Sequence, residues 1–363
     1  MSVTDEDSVT IKPYGLMADL HAHNWTAFSS IDEEGRNTRL MHLVHEIHRC
    51  CDETRRAGGK YVVIAGDVFH TRGSVEPSVF NTIQKCFEEE VTRGVTFKAI
   101  AGNHDLATLD SVELGSSVHM LQRPGFLAFH EPVSIGSTDS RFHPMTMVPW
   151  FHNVDRYLQE ITERADMLGP EVGKYDLICH IGIDGTLDGV PARGVTPAVL
   201  KAKGFKRVFS GHYHHHKEFG DGVYSIGAPT HQTWSDTGTK AGFCVVYPDR
   251  VRWFASHAPS FITLTGEEDP EDIPMMVDGH FVRANIGEAD RVKISQWRDE
   301  LTSIGARGVI INSIPPSTEE RREGVSVKSI TSLTKSVMDY VEEREFGKEV
   351  AESCGRILSE IGL

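Results

Sequence analysis

A chain of 363 residues with 39% hydrophobic and 25% charged side chains is long enough for one or two globular domains, and 33 Gly with 16 Pro exclude a collagen-like or low-complexity protein. The formal net charge of −15 opposes non-specific attraction to nucleic acid, so a nucleic-acid substrate would require local positive charge. The N-terminus is acidic, unlike a signal peptide, and no apolar run reaches the roughly 20 residues of a membrane span. We therefore expect a cytoplasmic protein.

Three strands are predicted in the first hundred residues, and each ends in polar side chains. The strands, with the polar residues that follow, are 14–19 (Asp19, His21), 61–65 (Asp67, His70) and 97–101 (Asn103, His104, Asp105). Helical spacing of apolar residues predicts a helix over 37–57, with Asn37 as its N-cap, and a second helix marked by Val79, Ile83 and Phe87. This alternation is typical of α/β proteins, which build their sites at the carboxyl ends of strands.

Two further strands deliver histidines in the same way. Residues 175–179 lead to His180, and residues 205–210 lead to His212 and His214. The segment 222–264 then contains short strands broken by Gly and Pro, at 223–226, 243–247, 251–255 and 261–264. We expect these strands to form an antiparallel extension of the sheets.

An acidic segment with two prolines, residues 266–274, predicts a domain boundary. The resulting division is a catalytic domain over 1–265, a small cap domain over 266–325 and C-terminal helices over 326–363. The cap would contain a strand at 281–286, a helix at 289–304 and a strand at 309–311. The apolar faces of the two terminal helices, 329–343 and 345–361, are more often core than a docking surface, and docking to a partner is kept as an alternative.

The residues at the strand ends form a mixture that suits divalent metals. Carboxylate and imidazole together favour manganese, iron or zinc, and thiolate is absent from the set. The candidate ligands are Asp19, His21, Asp67, Asn103, His180, His212 and His214. Seven ligands exceed the needs of one ion, so we expect two ions, with Asp67 as the bridging carboxylate.

The order of motifs D-x-H, G-D-x-x-H, G-N-H-D, a lone H and G-H-x-H resembles the calcineurin-like metallophosphoesterase superfamily over residues 14–265. The resemblance implies an α/β sandwich of two sheets flanked by helices. It assigns Asp19, His21, Asp67 and His214 to one ion, and Asp67, Asn103, His180 and His212 to the other. It also implies that His104 acts at the leaving oxygen, oriented by Asp105, while water activated by the ions attacks phosphorus in line.

Within the superfamily, His70 in G-D-x-x-H is similar to the SbcD-type DNA repair nucleases, in which this histidine lies beside the scissile phosphodiester. Residues 19–28 and 227–236 look like phage-encoded members of that group. The resemblance implies manganese as the metal, DNA as the substrate and a coiled-coil ATPase of the SbcC type as the partner, in DNA repair, recombination or replication. It places the protein in the cytoplasm of a bacterial or phage-infected cell and leaves a homodimer open.

Two alternatives share the same ligands. One is a phosphomonoesterase or cyclic-nucleotide phosphodiesterase, which His70 and the cap domain argue against. The other is a non-catalytic scaffold of the same fold, in which ligands or the third-motif histidine are typically lost, whereas His104 and every ligand are present here. His180 alone would be taken as a core histidine, and only its place between two motifs favours a ligand. His23, the second histidine of the first motif, has no known ligand role.

Overall fold

The first of two six-stranded β-sheets carries the first three predicted strands. The computed structural model describes residues 11–108, 115–136, 142–287 and 291–313, with positions 350 and 353. The strands of this sheet are β1 (Tyr14–Met17), β2 (Tyr61–Ala65), β3 (Thr96–Ile100), β4 (Phe126–Phe129), β11 (Gly242–Val246) and β12 (Val251–Ala255). The strand order is β12-β11-β1-β2-β3-β4. Strands β1 to β4 are parallel to one another, whereas β11 pairs antiparallel with β1 and β12 pairs antiparallel with β11. The carboxyl ends of β1, β2 and β3 therefore lie at one edge.

The second six-stranded sheet carries the strands that end in histidines. Its strands are β5 (Val133–Ile135), β6 (Met145–Val148), β7 (Asp176–His180), β8 (Arg207–Gly211), β9 (Lys217–Gly220) and β10 (Val223–Ser225). Their order is β5-β6-β7-β8-β10-β9, and β6, β7, β8 and β10 are parallel. Strands β4, β5 and β6 and the helix that follows β6 were not predicted from the sequence.

The two sheets pack face to face, as the family resemblance implies. One buried core cluster contains Leu16 and Val63 of the first sheet together with Met147, Ile178 and Phe209 of the second. Residues at alternate positions of each strand supply this core, because successive side chains of a strand lie on opposite faces. The sandwich brings the carboxyl edges of the two sheets together.

Helices cover the outer faces of the sandwich. They are α1 (Thr38–Arg56), α2 (Pro77–Thr92), α3 (Val154–Leu168) and α4 (Pro197–Lys201), the first two on the first sheet and the others on the second. The predicted cap of α1 is confirmed, since the Asn37 side chain accepts hydrogen bonds from the backbone N–H groups of Arg39 and Leu40. Burial of Leu43 and Ile47 fixes the face of α1 that packs on the sheet.

A third sheet of three strands lies near the end of the described residues. It consists of β13 (Phe261–Leu264), β14 (Phe281–Ile286) and β15 (Gly308–Ser313), with α5 (Ile273–Val277) and α6 (Arg291–Ser303). The predicted antiparallel extension over 222–264 is therefore wrong in two places: β10 pairs in parallel with β8, and β13 pairs in parallel with β14. Short apolar runs indicate a strand but carry no information about its distant partner.

The chain divides into two compact units, residues 1–312 and 313–363. Strand β13 begins before the predicted boundary at 265/266, and the cap domain and the three-part division stay predictions. The predicted C-terminal helices lie outside the described residues. Among the residues that the structure describes, no helix is long and apolar enough to cross a membrane, and five cysteines are buried free thiols.

A buried ion pair links β7 and β8 at the amino-terminal side of the sandwich. The Arg207 guanidinium donates to both carboxylate oxygens of Asp176, at 2.8 and 2.7 Å. The Tyr14 hydroxyl donates to Asp176 across the two sheets at 2.9 Å. Burial, and then the Asp176 charge, raise the pKa of Tyr14 well above its usual value. Because Asp176 is fully buried, its charge depends on these partners.

We predict that Arg207→Met lowers the free energy of unfolding by about 3–5 kcal/mol, because it leaves the Asp176 carboxylate buried without its counter-ion. Urea unfolding followed by circular dichroism measures the change. The matched control is Arg250→Met, whose exposed pair with Asp249 contributes about 1 kcal/mol or less. A loss for Arg207→Met as small as that of the control would contradict the prediction.

Candidate metal centre

All seven predicted ligands converge at the shared carboxyl edge of the two sheets. One Asp67 oxygen, Oδ2, lies 3.3 Å from His21 Nε2 and 3.3 Å from His180 Nε2. Asn103 Oδ1 lies 3.2 Å from His180 Nε2 and 2.9 Å from His212 Nδ1. These contacts join ligands from both sheets, and Asp67 and His180 are common to several of them.

The remaining two ligands complete the cluster on the side of His21. His214 Nε2 lies 3.2 Å from His21 Nε2, and an Asp19 oxygen lies 4.0 Å from His180 Nε2. Among the described residues, three groups have their ligand atoms within 4.8 Å of one another: Asp19 with His21 and His214, Asp19 with Asp67 and His180, and His21 with His70 and His104. Asp67 lies between His21 and His180, because its Oδ2 contacts both imidazoles.

Backbone strain is concentrated at the same residues. Within the described part of the chain, six non-glycine residues have positive φ, and four of them are predicted ligands: Asp19 (53°), His21 (43°), Asp67 (52°) and His212 (93°). Such conformations cost on the order of 1–3 kcal/mol each and persist where the surrounding structure enforces them. Because four candidate ligands share this strain, we infer that the backbone conformation of these loops is set by the direction their side chains must take and not by the stability of the loops.

The glycines that precede the ligands make room for them. A Cβ on Gly66, which has φ of 89°, would meet the His180 ring, and a Cβ on Gly102 would meet the Asp67 carboxylate. A side chain at either position would displace a ligand. This close approach is the physical reason for glycine in the G-D and G-N-H motifs.

Other groups orient the imidazoles toward the centre. His214 Nδ1 donates to Asp236 Oδ1 at 2.8 Å, and His180 Nδ1 donates to the Ala65 carbonyl at 2.7 Å. Each bond leaves Nε2 free to bind a metal, the usual arrangement of ligating histidines. Asp236 itself accepts backbone N–H groups from Gln232 and Thr233. No sequence signal marks Asp236, because it lies 22 residues beyond His214 in a segment without a metal-ligand pattern.

The electrostatics of the centre fit divalent cations. Burial raises the pKa of Asp19. Burial acts in the same direction on Asp67, but the neighbouring His180 and His21 hold the pKa of that carboxyl well below its usual value. Among the described residues, neither carboxylate forms an ion pair with Lys or Arg. Two buried carboxylates surrounded by imidazole and amide donors are a chemically suitable site for borderline to hard divalent ions.

His104 and His70 lie side by side next to the ligands. The His104 backbone N–H donates to Asp67 Oδ1 at 2.7 Å, and its Nδ1 donates to the His70 carbonyl at 2.6 Å. The two rings stack with centroids 5.3 Å apart, and His70 Nδ1 lies 3.2 Å from His21 Nδ1. Both side chains are half-buried, so substrate at the metal centre could reach them.

The contacts of Asp105 differ from the orienting role predicted for it. Its buried carboxylate accepts backbone N–H groups from Gly102 (2.9 Å), Phe69 (3.0 Å) and Val68 (3.2 Å). None of the described hydrogen bonds joins it to the His104 ring, whose Nδ1 is bonded to His70. Asp105 therefore ties the loop after β3 to the loop after β2, and it acts on His104 only through the backbone. The sequence could not separate these roles, because both place a carboxylate after G-N-H.

Comparison with known proteins identifies the family. Residues 12–216, more than half of the chain, match the model of the calcineurin-like phosphoesterases. The chain therefore belongs to this family, a hydrolase superfamily that depends on divalent metals.

Individual relatives are distant. The protein named exonuclease subunit 1 of Enterobacteria phage T4 is 23% identical over 290 residues, which cover 76% of this chain and 79% of that protein. Among solved structures, a dimetal phosphatase from Danio rerio has a TM-score of 0.39 at 10% identity, covering 66% of this chain and 93% of that one. A protein of Thermus thermophilus has a TM-score of 0.38 at 9% identity, covering 68% of this chain and 99% of that one.

We predict that Asp236→Asn weakens Mn²⁺ binding by about 10- to 100-fold, because His214 loses the carboxylate that orients its ring. Isothermal titration of the metal-free protein measures the affinity. Asp221→Asn is the matched control, since Asp221 is an exposed turn residue. Unchanged affinity in Asp236→Asn would show that His214 does not depend on this bond.

Proposed function

We propose that the protein is a two-metal DNA nuclease that hydrolyses phosphodiester bonds, as the SbcD-type subunit of an ATPase-nuclease complex. The observation that carries the proposal is the stacked pair of His70 and His104 next to the metal centre. The protein named exonuclease subunit 1, which is similar over most of its length, supports the nuclease activity and the role as a subunit.

The candidate ligands divide into two sets around Asp67. Asp19, His21 and His214 would hold one ion with Asp67, and Asn103, His180 and His212 would hold the other with the same carboxylate. When bound, two divalent ions, which we propose to be Mn²⁺, would neutralise phosphodiester charge and make water a better nucleophile at neutral pH.

The histidines outside the ligand sets handle substrate and protons. His104 Nδ1 donates to the His70 carbonyl, which fixes the ring and leaves Nε2 for the leaving oxygen of the phosphodiester. In its protonated form, His104 would transfer that proton as the P–O bond breaks. His70, stacked on His104, would contact the same phosphodiester. Asp105 would keep both histidines in place by holding the two loops together.

The proposed setting follows from the same relative. The name of the phage protein supports a partner subunit, for which we propose a coiled-coil ATPase of the SbcC type, and a homodimer remains an alternative assembly. A role in DNA repair, recombination or replication in the cytoplasm of a bacterial or phage-infected cell is consistent with it. The acidic chain, with a net charge of −15, would bind DNA through local contacts at the site.

The proposal predicts Mn²⁺-dependent degradation of an end-labelled linear duplex by the purified chain. The same protein should hydrolyse bis-p-nitrophenyl phosphate, a small diester, faster than p-nitrophenyl phosphate, a monoester. His70→Ala should reduce cleavage of DNA more than hydrolysis of the small diester, because an activated diester depends less on the contact by which His70 positions the scissile phosphodiester.

His104→Ala is the control for contaminating nucleases, since it removes the proposed proton donor and should abolish DNA cleavage. Turnover of the monoester with intact DNA would move the protein to the phosphatase branch of the family. If His70→Ala slowed cleavage of DNA and hydrolysis of the small diester equally, His70 would no longer distinguish a nuclease from other phosphoesterases of the family.

A further inference from the structure

Four aromatic side chains form a continuous wall that leads away from the metal centre. This aromatic wall consists of His104, His70, His23 and Trp25. Ring centroids are 5.3 Å apart between His104 and His70, and 5.0 Å apart between His23 and Trp25. Both outer rings contact His70, His23 at 5.1 Å and Trp25 at 4.5 Å. His104 begins the wall 4.6 Å from the ring of the ligand His21. The proposed function uses the first two rings and leaves His23 and Trp25 without a role.

Backbone pairing places the outer part of the wall. Ala22 and Phe69 form a parallel bridge, in which the Ala22 N–H donates to the Val68 carbonyl and the His70 N–H donates to the Ala22 carbonyl. The segment after β1 therefore runs alongside the segment after β2. His23 follows Ala22 directly, and for this reason it lies beside His70.

Asn37 and Arg39 hold the loop that carries Trp25 in place. The Trp25 carbonyl accepts from Asn37 Nδ2 at 2.9 Å, and the Arg39 guanidinium lies 5.3 Å from the Trp25 ring centroid. The Arg39 guanidinium donates hydrogen bonds to the carbonyls of Ala27, His231 and Gln232. Because these three carbonyls hold the buried Arg39 side chain, it is not free to contact a ligand. Its fixed position behind Trp25 preorganises this part of the wall.

The outer rings keep hydrogen-bond donors that the fold does not use. In the described part of the chain, no hydrogen bond involves a ring nitrogen of His23 or the indole nitrogen of Trp25, although both residues are half-exposed. Asn24, between them, is by contrast bonded to Glu76 and Ser78. Within the described residues, neither ring is therefore committed to a hydrogen-bond partner, and both lie partly accessible beside the metal centre.

We propose that His23 and Trp25 form a subsite for the nucleotide next to the scissile phosphodiester, in which His23 donates to the neighbouring backbone phosphate and Trp25 packs against the base. The inference rests on the proposed nuclease function and names the part of the substrate that the outer wall contacts. Because the rings of His70 and His23 are neighbours, with centroids 5.1 Å apart, a strand that contacts His70 at one phosphate passes within reach of His23 at the next. Such a contact gives an acidic chain local affinity for DNA.

The test compares kcat/KM for a labelled oligonucleotide with kcat/KM for bis-p-nitrophenyl phosphate, which has no neighbouring nucleotide. His23→Ala should lower the ratio of the two by about tenfold, as expected for loss of a hydrogen bond to a charged group. Trp25→Ala should lower it by about tenfold through KM, and Trp25→Phe should restore most of the loss because a phenyl ring still stacks on bases. His45→Ala, on the exposed face of α1, is the matched control.

Each outcome has a distinct meaning. A ratio that does not change in His23→Ala and Trp25→Ala contradicts the subsite, as does an equal loss on both substrates, which would mean that these residues only support His70. Thermal unfolding and Mn²⁺ affinity of each variant exclude a collapsed loop as the cause. If the wild-type protein hydrolyses the small diester and does not cleave DNA, the proposed function fails first, and the subsite fails with it.

Discussion

One buried carboxylate, that of Asp67, constrains the rest of the structure. Its Oδ2 contacts imidazoles from both sheets, at 3.3 Å each, and its Oδ1 accepts the backbone N–H of His104 at 2.7 Å. A charged group without water around it is stable only when its partners are fixed around it. The sandwich supplies that arrangement by bringing together the carboxyl ends of the parallel strands of its two mixed sheets, so fold and site are consequences of the same geometry.

The loops around Asp67 are built at the expense of local stability. Four ligands adopt positive φ, glycines replace side chains where two loops touch, and the carboxylate of Asp105 is used to hold backbone amides. The backbone conformations of these loops are unfavourable for their residue types, whereas those of α1 and of the core strands are favourable. This distribution is typical of a functional site, where the surrounding fold stabilises a strained constellation.

The sequence singles out the candidate ligands because each of them lies at or just after the end of a recognisable strand. Parallel strands β1 and β2 deliver Asp19 and Asp67 to a common edge of the first sheet, whereas His180 on β7 joins them because the second sheet packs against the first. Asp236 and the pairing of β13 with β14 could not be predicted in this way. Both depend on which segments meet after folding, and a short apolar run or a lone carboxylate carries no such information. The position of His23 and Trp25 beside His70 could not be predicted either. It depends on the backbone bridge between Ala22 and Phe69, which forms only in the folded chain.

The central claim is a centre for two metal ions organised by Asp67. Isothermal titration of the metal-free protein with Mn²⁺, alongside Asp67→Asn, tests it most directly. The account predicts two ions per chain for the wild type, and weakened binding of both ions in the folded variant, because both share that carboxylate. A single ion per chain, or an Asp67→Asn variant that binds two ions as tightly as the wild type, would contradict it.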